Sequence, residues 1–272
     1  MPASDAADPA ARGRPDLHRD IAAAVREAGA LALASFKAPI RSWLKEGDSP
    51  VSEADLAVDA LLRERLGAAG PDYGWLSEES EHDPARLAAA RVWIVDPIDG
   101  TRAFLAGLPD WTISVALAEA GRPIVAALYA PVTDEMFFAI AGGGATHNDR
   151  PITASDGTSL AGARVAGPER RLARLTEFGI APEPKVHSLA LRIARVAQGR
   201  LDVALAGGNA HDWDLAAADL LVHEADGVLT TLAGETLTYN RPILTHGALI
   251  AAGRARHHAM SELMREGRIA FG

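Results

Sequence analysis

The 272-residue sequence contains no cysteine. That absence excludes disulfides, thiolate metal sites and cysteine nucleophiles, and it fits a cytoplasmic protein. Long apolar runs are missing too. None approaches the roughly 18 residues that a membrane span needs, so no membrane partner is expected. Basic charge is in short supply: 27 Lys and Arg stand against 36 Asp and Glu, a formal net charge of −9. A surface for polymeric nucleic acid normally shows a basic excess, so such a partner is not expected either. The opening MPASDAADPAARGRPD is poor in hydrophobics and carries acids, unlike a signal peptide, and residues 1–16 read as a disordered leader.

What is present is ordinary for a soluble globular protein, with 48% hydrophobic and 23% charged residues in a chain long enough to bury a core. Apolar spacing predicts a first helix over 17–36, capped by Asp16 and buried through Leu17, Ile21, Val25, Ala28, Leu31 and Ala32. A second helix is expected from Ser52 to about Leu66, with Gly67 and Gly70 ending it. Strands are expected at 41–44, 75–77, 92–95, 111–118, 124–130 and 136–140, with Gly142, Gly143 and Gly144 breaking the meander. The second half alternates strands at 164–166, 185–187, 202–206, 228–232 and 248–252 with helices at 168–178, 189–198, 214–225 and 254–265. The fold class is α/β: an α+β half with an antiparallel sheet over 17–150, and an α/β half over 151–272.

The chemistry gathers at RVWIVDPIDGTRAF, residues 91–104. A short apolar strand turns abruptly into two acids, a proline and a glycine, which delivers carboxylates to one point. Pro97 removes a backbone donor, and Gly100 permits geometry that a side chain forbids. Asp96 and Asp99 are three apart across this turn, so both can reach one hard cation or a pair of them. Three further segments place acids at element ends: SPVSEAD at 49–55, SEE at 77–79 and WDLAA at 213–217. Each also has a purely conformational reading. Ser52 and Asp55 have the form of a capping box, Asp214 that of an N-cap, and Glu78 and Glu79 that of solvated loop charge. Together, carboxylates at one end of a core repel one another, and metal binding is their natural compensation.

SPVSEAD (49–55), WLSEES (75–80), WIVDPIDGT (93–101) and HDWDLAAADLLVHEADG (211–227) resemble the motifs of the inositol monophosphatase superfamily, from about Lys45 to Gly253. These are Mg²⁺-dependent, lithium-sensitive phosphomonoesterases. The resemblance implies a layered αβαβα sandwich and two or three Mg²⁺ ions. Glu78, Asp96 and Asp99 would be metal ligands, with the Ile98 carbonyl, and Asp214 would complete the second metal site. Asp55 and Thr101 would orient and deprotonate the attacking water, and the Gly100 and Thr101 amides would hold the substrate phosphate. Asp99, Asp214, Glu78 and Ile98 would thus also face the substrate. Asp226 stands where the family usually has a glycine. A homodimer is the family default. The haloacid-dehalogenase phosphatases, which use Asp-x-Asp-Gly-Thr, are a poor match, because Pro97 and Ile98 both separate the acids here.

Within the superfamily the local strings are most like the bacterial 3′(2′),5′-bisphosphate nucleotidases, through SPVSEAD, SEES and the Arg102-x-Phe104 pattern. The expected substrate is 3′-phosphoadenosine 5′-phosphate or a similar small nucleotide. The alternatives are an inositol-1-monophosphatase or a histidinol phosphatase, and, in a different class, a non-catalytic metal- or nucleotide-binding protein. Inositol enzymes carry a glutamate seven residues before the Trp-Asp aspartate, and that position here is Gly207. Arg102, Arg192 and Arg195 are candidate contacts for a second phosphate, or a solvated or salt-bridged helix face. His211 either touches substrate or packs within its loop. Trp75 and Trp93 are expected in the core.

Overall fold

The computed structural model describes residues 15–45 and 49–269. The expected leader lies outside these residues except for its last two, which are already helical. Helix α1 (Pro15–Ser35) therefore contains Asp16 rather than starting after it. Ile21, Val25, Ala28 and Ala32 form its buried stripe, whereas Leu31 is 39% exposed. Ten positions after Ile21, Leu31 is rotated roughly 80° off that stripe.

Strand β1 (Ser42–Leu44) pairs with β2 (Pro50–Ser52) ahead of helix α2 (Glu53–Ala69). This helix runs through Gly67, where an added Cβ would meet nothing, and ends at Gly70, whose amide bonds to the Leu66 carbonyl. Strands β3 (Gly74–Ser77), β4 (Arg91–Asp99), β5 (Thr112–Glu119), β6 (Arg122–Ala130), β7 (Glu135–Ile140), β8 (Gly144–His147) and β9 (Arg150–Ile152) form one seven-stranded sheet in chain order. β3 runs parallel to β4, so the sheet is mixed rather than antiparallel throughout. The triple glycine is a turn inside the meander and does not end it. β8 and β9 follow, joined through Asn148 and Asp149, both at positive φ as a two-residue hairpin of the type I′ kind requires.

The smaller sheet has the order β11-β10-β12-β16-β14, from β10 (Arg164–Ala166), β11 (Ala181–Pro182), β12 (Val203–Ala206), β14 (Gly227–Thr231) and β16 (Leu249–Gly253). A second two-stranded pair joins β13 (Ala210–His211) to β15 (Thr245–His246). The strand expected at 185–187 does not form. Its backbone groups go to side chains instead: the Val186 carbonyl accepts from Arg192, and the His187 amide donates to Asp110.

Alternation along β4 explains its unbroken apolar run. Trp93 and Val95 face α1 and α2, while Val92 and Ile94 face the other way, towards helices α5 (Leu189–Ala197) and α6 (Asp212–Glu224). Those two helices lie between the sheets. Beyond the small sheet, α7 (Arg254–Arg265) buries Met260 against Val203, Leu205 and Ile250. The result is the layered αβαβα sandwich. Helix α3 (Thr101–Leu105) follows β4, and α4 (Glu169–Leu175) follows β10.

Candidate active site

Side chains three apart on a regular strand point to opposite faces. Asp96 and Asp99 escape this rule because β4 slips register between them, Asp96 pairing with Ser114 and Asp99 with Thr112. The extra residue is a β-bulge, and Pro97 fits it because a bulge can spare a ladder donor. Gly100 then adopts φ +97°, with the Asp110 carbonyl and the Ser188 amide each 3.3 Å from where its Cβ would be. A side chain there would be both strained and crowded.

Helix α6 starts two residues earlier than expected, at Asp212, which makes Asp214 its third residue rather than its cap. Its Oδ2 accepts the His211 amide at 2.6 Å. Entering between the sheets, this helix brings Asp214 to the β4 bulge. Asp96, Asp99 and Asp214 each offer an oxygen within 4.8 Å of the others.

Asp55 satisfies both of its readings at once. Its Oδ2 accepts the Ser52 amide at 2.8 Å and the Ser52 hydroxyl at 2.6 Å, completing a capping box. Its Oδ1 lies 3.2 Å from Thr101 Oγ1, which is also 3.1 Å from the Ile98 carbonyl. Glu78 lines the same cleft, but its Oε1 is 2.8 Å from Lys45 Nζ, and that ammonium also holds Glu79 at 2.7 Å. Glu78 is therefore beside the aspartate trio rather than a member of it.

The cleft has a volume of about 380 Å³ and includes Ile98, Gly100 and Thr101 on its wall. Burial, reinforced by Glu78, Asp99, Asp214 and Asp55, pushes the Asp96 carboxyl well above the usual range. Asp214 is driven up in the same way by burial and by Asp99. Asp99 reaches only about 6, because Ser188 and the Ala190 and Leu189 amides oppose its burial. Burial also raises Asp55. The groups acting most strongly on Asp96 are all acids. An all-oxygen set of mutually repelling buried carboxylates suits a hard divalent cation.

Several site residues escape sequence reasoning. Asp99 accepts from Ser188 Oγ at 2.5 Å, from the Ala190 amide at 2.7 Å and from the Leu189 amide at 3.2 Å, so it also caps α5 across 89 or more residues of chain. Nothing local signals that contact. Asp59 accepts from Ser77 Oγ at 2.5 Å and Ser80 Oγ at 2.6 Å, bracketing the Glu78–Glu79 pair. Its spacing of four from Asp55 on a helix was the available clue. Lys185 and His187 line the cleft from the segment expected to be a strand.

Two of the candidate arginines are committed elsewhere. Arg192 donates to the Val186 and Leu205 carbonyls. Arg195 forms a two-pronged pair with Glu135, both bonds 2.5 Å, and is 12% exposed. Arg102 does line the cleft. His211 stacks on Trp213, with ring centroids 4.6 Å apart and planes 2° apart. Trp93 is core, and half-buried Trp75 donates to Ser80. Gly207 faces open space, and Asp226 takes the left-handed φ of +60° that explains a family glycine there.

A cleft between two sheets, with two buried carboxylates and a half-buried third converging from a strand bulge and a helix start, has the form of a metal-dependent hydrolase site. Residues 16–267 match the inositol monophosphatase family. An inositol-1-monophosphatase from Rhizobium meliloti is 38% identical over 195 residues, covering 68% of this chain and 73% of that protein. The 3′(2′),5′-bisphosphate nucleotidase CysQ of Aggregatibacter actinomycetemcomitans is 30% identical over 237 residues, 83% of this chain and 88% of that protein. The crystal structure of extragenic suppressor protein suhB from Bartonella henselae aligns with a TM-score of 0.80 at 28% identity, covering 93% of this chain and 99% of that one. The chain belongs to the inositol monophosphatase family, a metal-dependent family, and is a phosphoric monoester hydrolase.

Proposed function

We propose that this protein hydrolyses a small phosphate monoester with Mg²⁺, using water as the nucleophile, and that its preferred substrate is a nucleoside bisphosphate of the 3′-phosphoadenosine 5′-phosphate kind. The observation that carries the chemistry is the convergence of Asp96, Asp99 and Asp214 within 4.8 Å beside the Asp55–Thr101 contact. Asp96, Asp99, Asp214, Glu78 and the Ile98 carbonyl would hold Mg²⁺. When bound, it neutralises substrate phosphate charge and makes water a competent nucleophile near neutral pH. Thr101 Oγ1 positions that water and Asp55 Oδ1 takes up its proton, while Ser52 fixes the other Asp55 oxygen. The Gly100 and Thr101 amides orient the phosphate.

Two features support the nucleotide over inositol phosphate: Arg102 and Lys185 stand on the cleft wall, and Gly207 supplies no carboxylate for a polyol ring. The 17–150 half would bring most metal ligands and the 151–272 half Asp214. A homodimer and lithium sensitivity rest on the family resemblance, and a cytoplasmic location on the cysteine-free composition. No described helix is long and apolar enough to cross a membrane.

The test is phosphate release from 3′-phosphoadenosine 5′-phosphate, inositol 1-phosphate, fructose 1,6-bisphosphate and histidinol phosphate, with Mg²⁺ and with EDTA. A nucleotide preference of tenfold or more in kcat/KM, about 1.4 kcal/mol, is expected. An equal preference for inositol phosphate would overturn the substrate reading, and EDTA-insensitive release would overturn the metal reading.

A further inference from the structure

We propose that Lys185 and His187 form a recognition wall for a second anionic group of the substrate, with Asp110 as the residue that positions it. The inference rests on the phosphatase reading of the cleft and adds the residues that select among phosphate esters.

The segment before α5 has no ladder partners at 185–187, yet it is fastened. Asp110 Oδ2 lies 2.6 Å from the His187 amide nitrogen and 2.6 Å from His187 Nδ1, and the Asp110 carbonyl accepts the Ser188 amide at 3.1 Å. Three contacts to Asp110, added to the Arg192 bonds on the Val186 carbonyl, hold this short loop in place. Gly100 sits against the same two points, the Asp110 carbonyl and the Ser188 amide. The wall is thereby indexed to the DPIDGT turn that bears the carboxylates.

An ionised carboxylate only accepts, so Nδ1 carries the hydrogen of that contact. Nε2 is the ring nitrogen left for a ligand. It donates to the anion while Nδ1 donates to Asp110, so that the ring bridges the two. Lys185 is exposed two residues away, and both side chains belong to residues lining the metal cleft. Arg102 lines it as well. In a protein of net charge −9, these groups gather positive charge next to a site otherwise built of acids. Lys185 and His187 also border a second cavity of about 470 Å³, whose wall includes Asp110, Glu183, Arg195 and Arg200. One substrate must reach both the wall and the Asp96, Asp99 and Asp214 carboxylates, and Lys185 and His187 share the cleft with them, so the second anionic group lies on the cleft side of the wall. The metal centre handles the phosphoryl group that is cleaved, and this wall reads the one that is kept.

The test compares matched esters that differ by one phosphate: 3′-phosphoadenosine 5′-phosphate against adenosine 3′-phosphate, and fructose 1,6-bisphosphate against fructose 1-phosphate, all with Mg²⁺. The wild type is expected to favour the bisphosphate of at least one pair by tenfold or more in kcat/KM. In His187→Ala and Lys185→Ala that preference is expected to fall to threefold or less, through KM for the bisphosphate rather than through kcat. Asp110→Ala, with thermal unfolding checked to confirm a folded protein, is expected to reproduce the His187→Ala shift. Absence of any bisphosphate preference in the wild type overturns the inference, as do variants that lose both members of a pair equally. Failure of the underlying reading looks different: no EDTA-sensitive release from any of the four esters.

Discussion

Replacing Asp96 with Asn is expected to destroy activity and at the same time stabilise the metal-free protein. Asp96 is 1% exposed, and Glu78, Asp99, Asp214 and Asp55 all raise its pKa. At an effective dielectric near 20, two carboxylate oxygens at the outer separation of 4.8 Å repel by about 3 kcal/mol when both are ionised. Proton uptake by neighbours relieves part of this, leaving a net gain of about 1–3 kcal/mol on removing the Asp96 charge. Asn keeps an oxygen for the Ile98 amide, which Asp96 Oδ1 accepts at 3.1 Å. For a chain of this size the gain corresponds to a rise of about 2–5 °C in Tm. Thermal unfolding in EDTA and in Mg²⁺ measures both sides. The wild type should gain about 3 kcal/mol at a Mg²⁺ concentration a hundred times its Kd, and Asp96→Asn should lose most of that gain. A variant less stable than wild type in EDTA, or one with an undiminished Mg²⁺ shift, would refute the reasoning.

The pH dependence of the metal-free wild type follows from the same cluster. Asp99 is raised to about 6 by burial, so between about pH 4 and 6 the folded state binds more protons than the unfolded state, and stability falls as pH rises. Asp99 alone accounts for about 3 kcal/mol, a cost absent below pH 4 and complete above pH 6; saturating Mg²⁺ should flatten the profile in urea unfolding. Lys45→Ala should free Glu78 and lower the Mg²⁺ concentration for half-maximal activity several-fold, while destabilising the metal-free protein, because Glu79, raised to about 7 by burial despite Lys45, loses that cation. Asp59→Ala should cost about 3 kcal/mol by removing two hydroxyl contacts to a buried carboxylate, and should raise the half-activating Mg²⁺ concentration as the 77–80 turn loosens. Arg195→Ala should cost about 2–4 kcal/mol by leaving Glu135 only Thr133 and the longer contacts to His147 and Arg200, with KM for every phosphate ester within twofold of wild type.

Much of the fold was legible because its signals are local. The α1 stripe, the hairpin strands β5 and β6 and the start of α5 all announce themselves by period and by turn residues. The parallel pairing of β3 with β4 did not, since direction depends on a connection whose path has no local signature. The segment 185–187 has strand-like composition, but Arg192 and Asp110 take its backbone groups, and such competition is visible only in three dimensions. In the site, the acids and the glycine stood out because their residue types are unusual at the end of a buried strand. Their partners did not. Ser188, Asp59 and Lys45 are common residues whose roles come from contacts 18 to 89 positions away. Arg192 and Arg195 stayed open between a ligand contact and a salt-bridged face for the same reason, since an arginine on a helix looks alike in both, and Arg195 takes the salt-bridged one.

The most direct test of the central claim is a crystal structure with Mn²⁺ in place of Mg²⁺, read through its anomalous map. An anomalous peak ligated by Asp96, Asp99 and Asp214, with Glu78 turned from Lys45 towards it, is the predicted result. An empty map at these three carboxylates in protein that is active with the same ion would contradict the account.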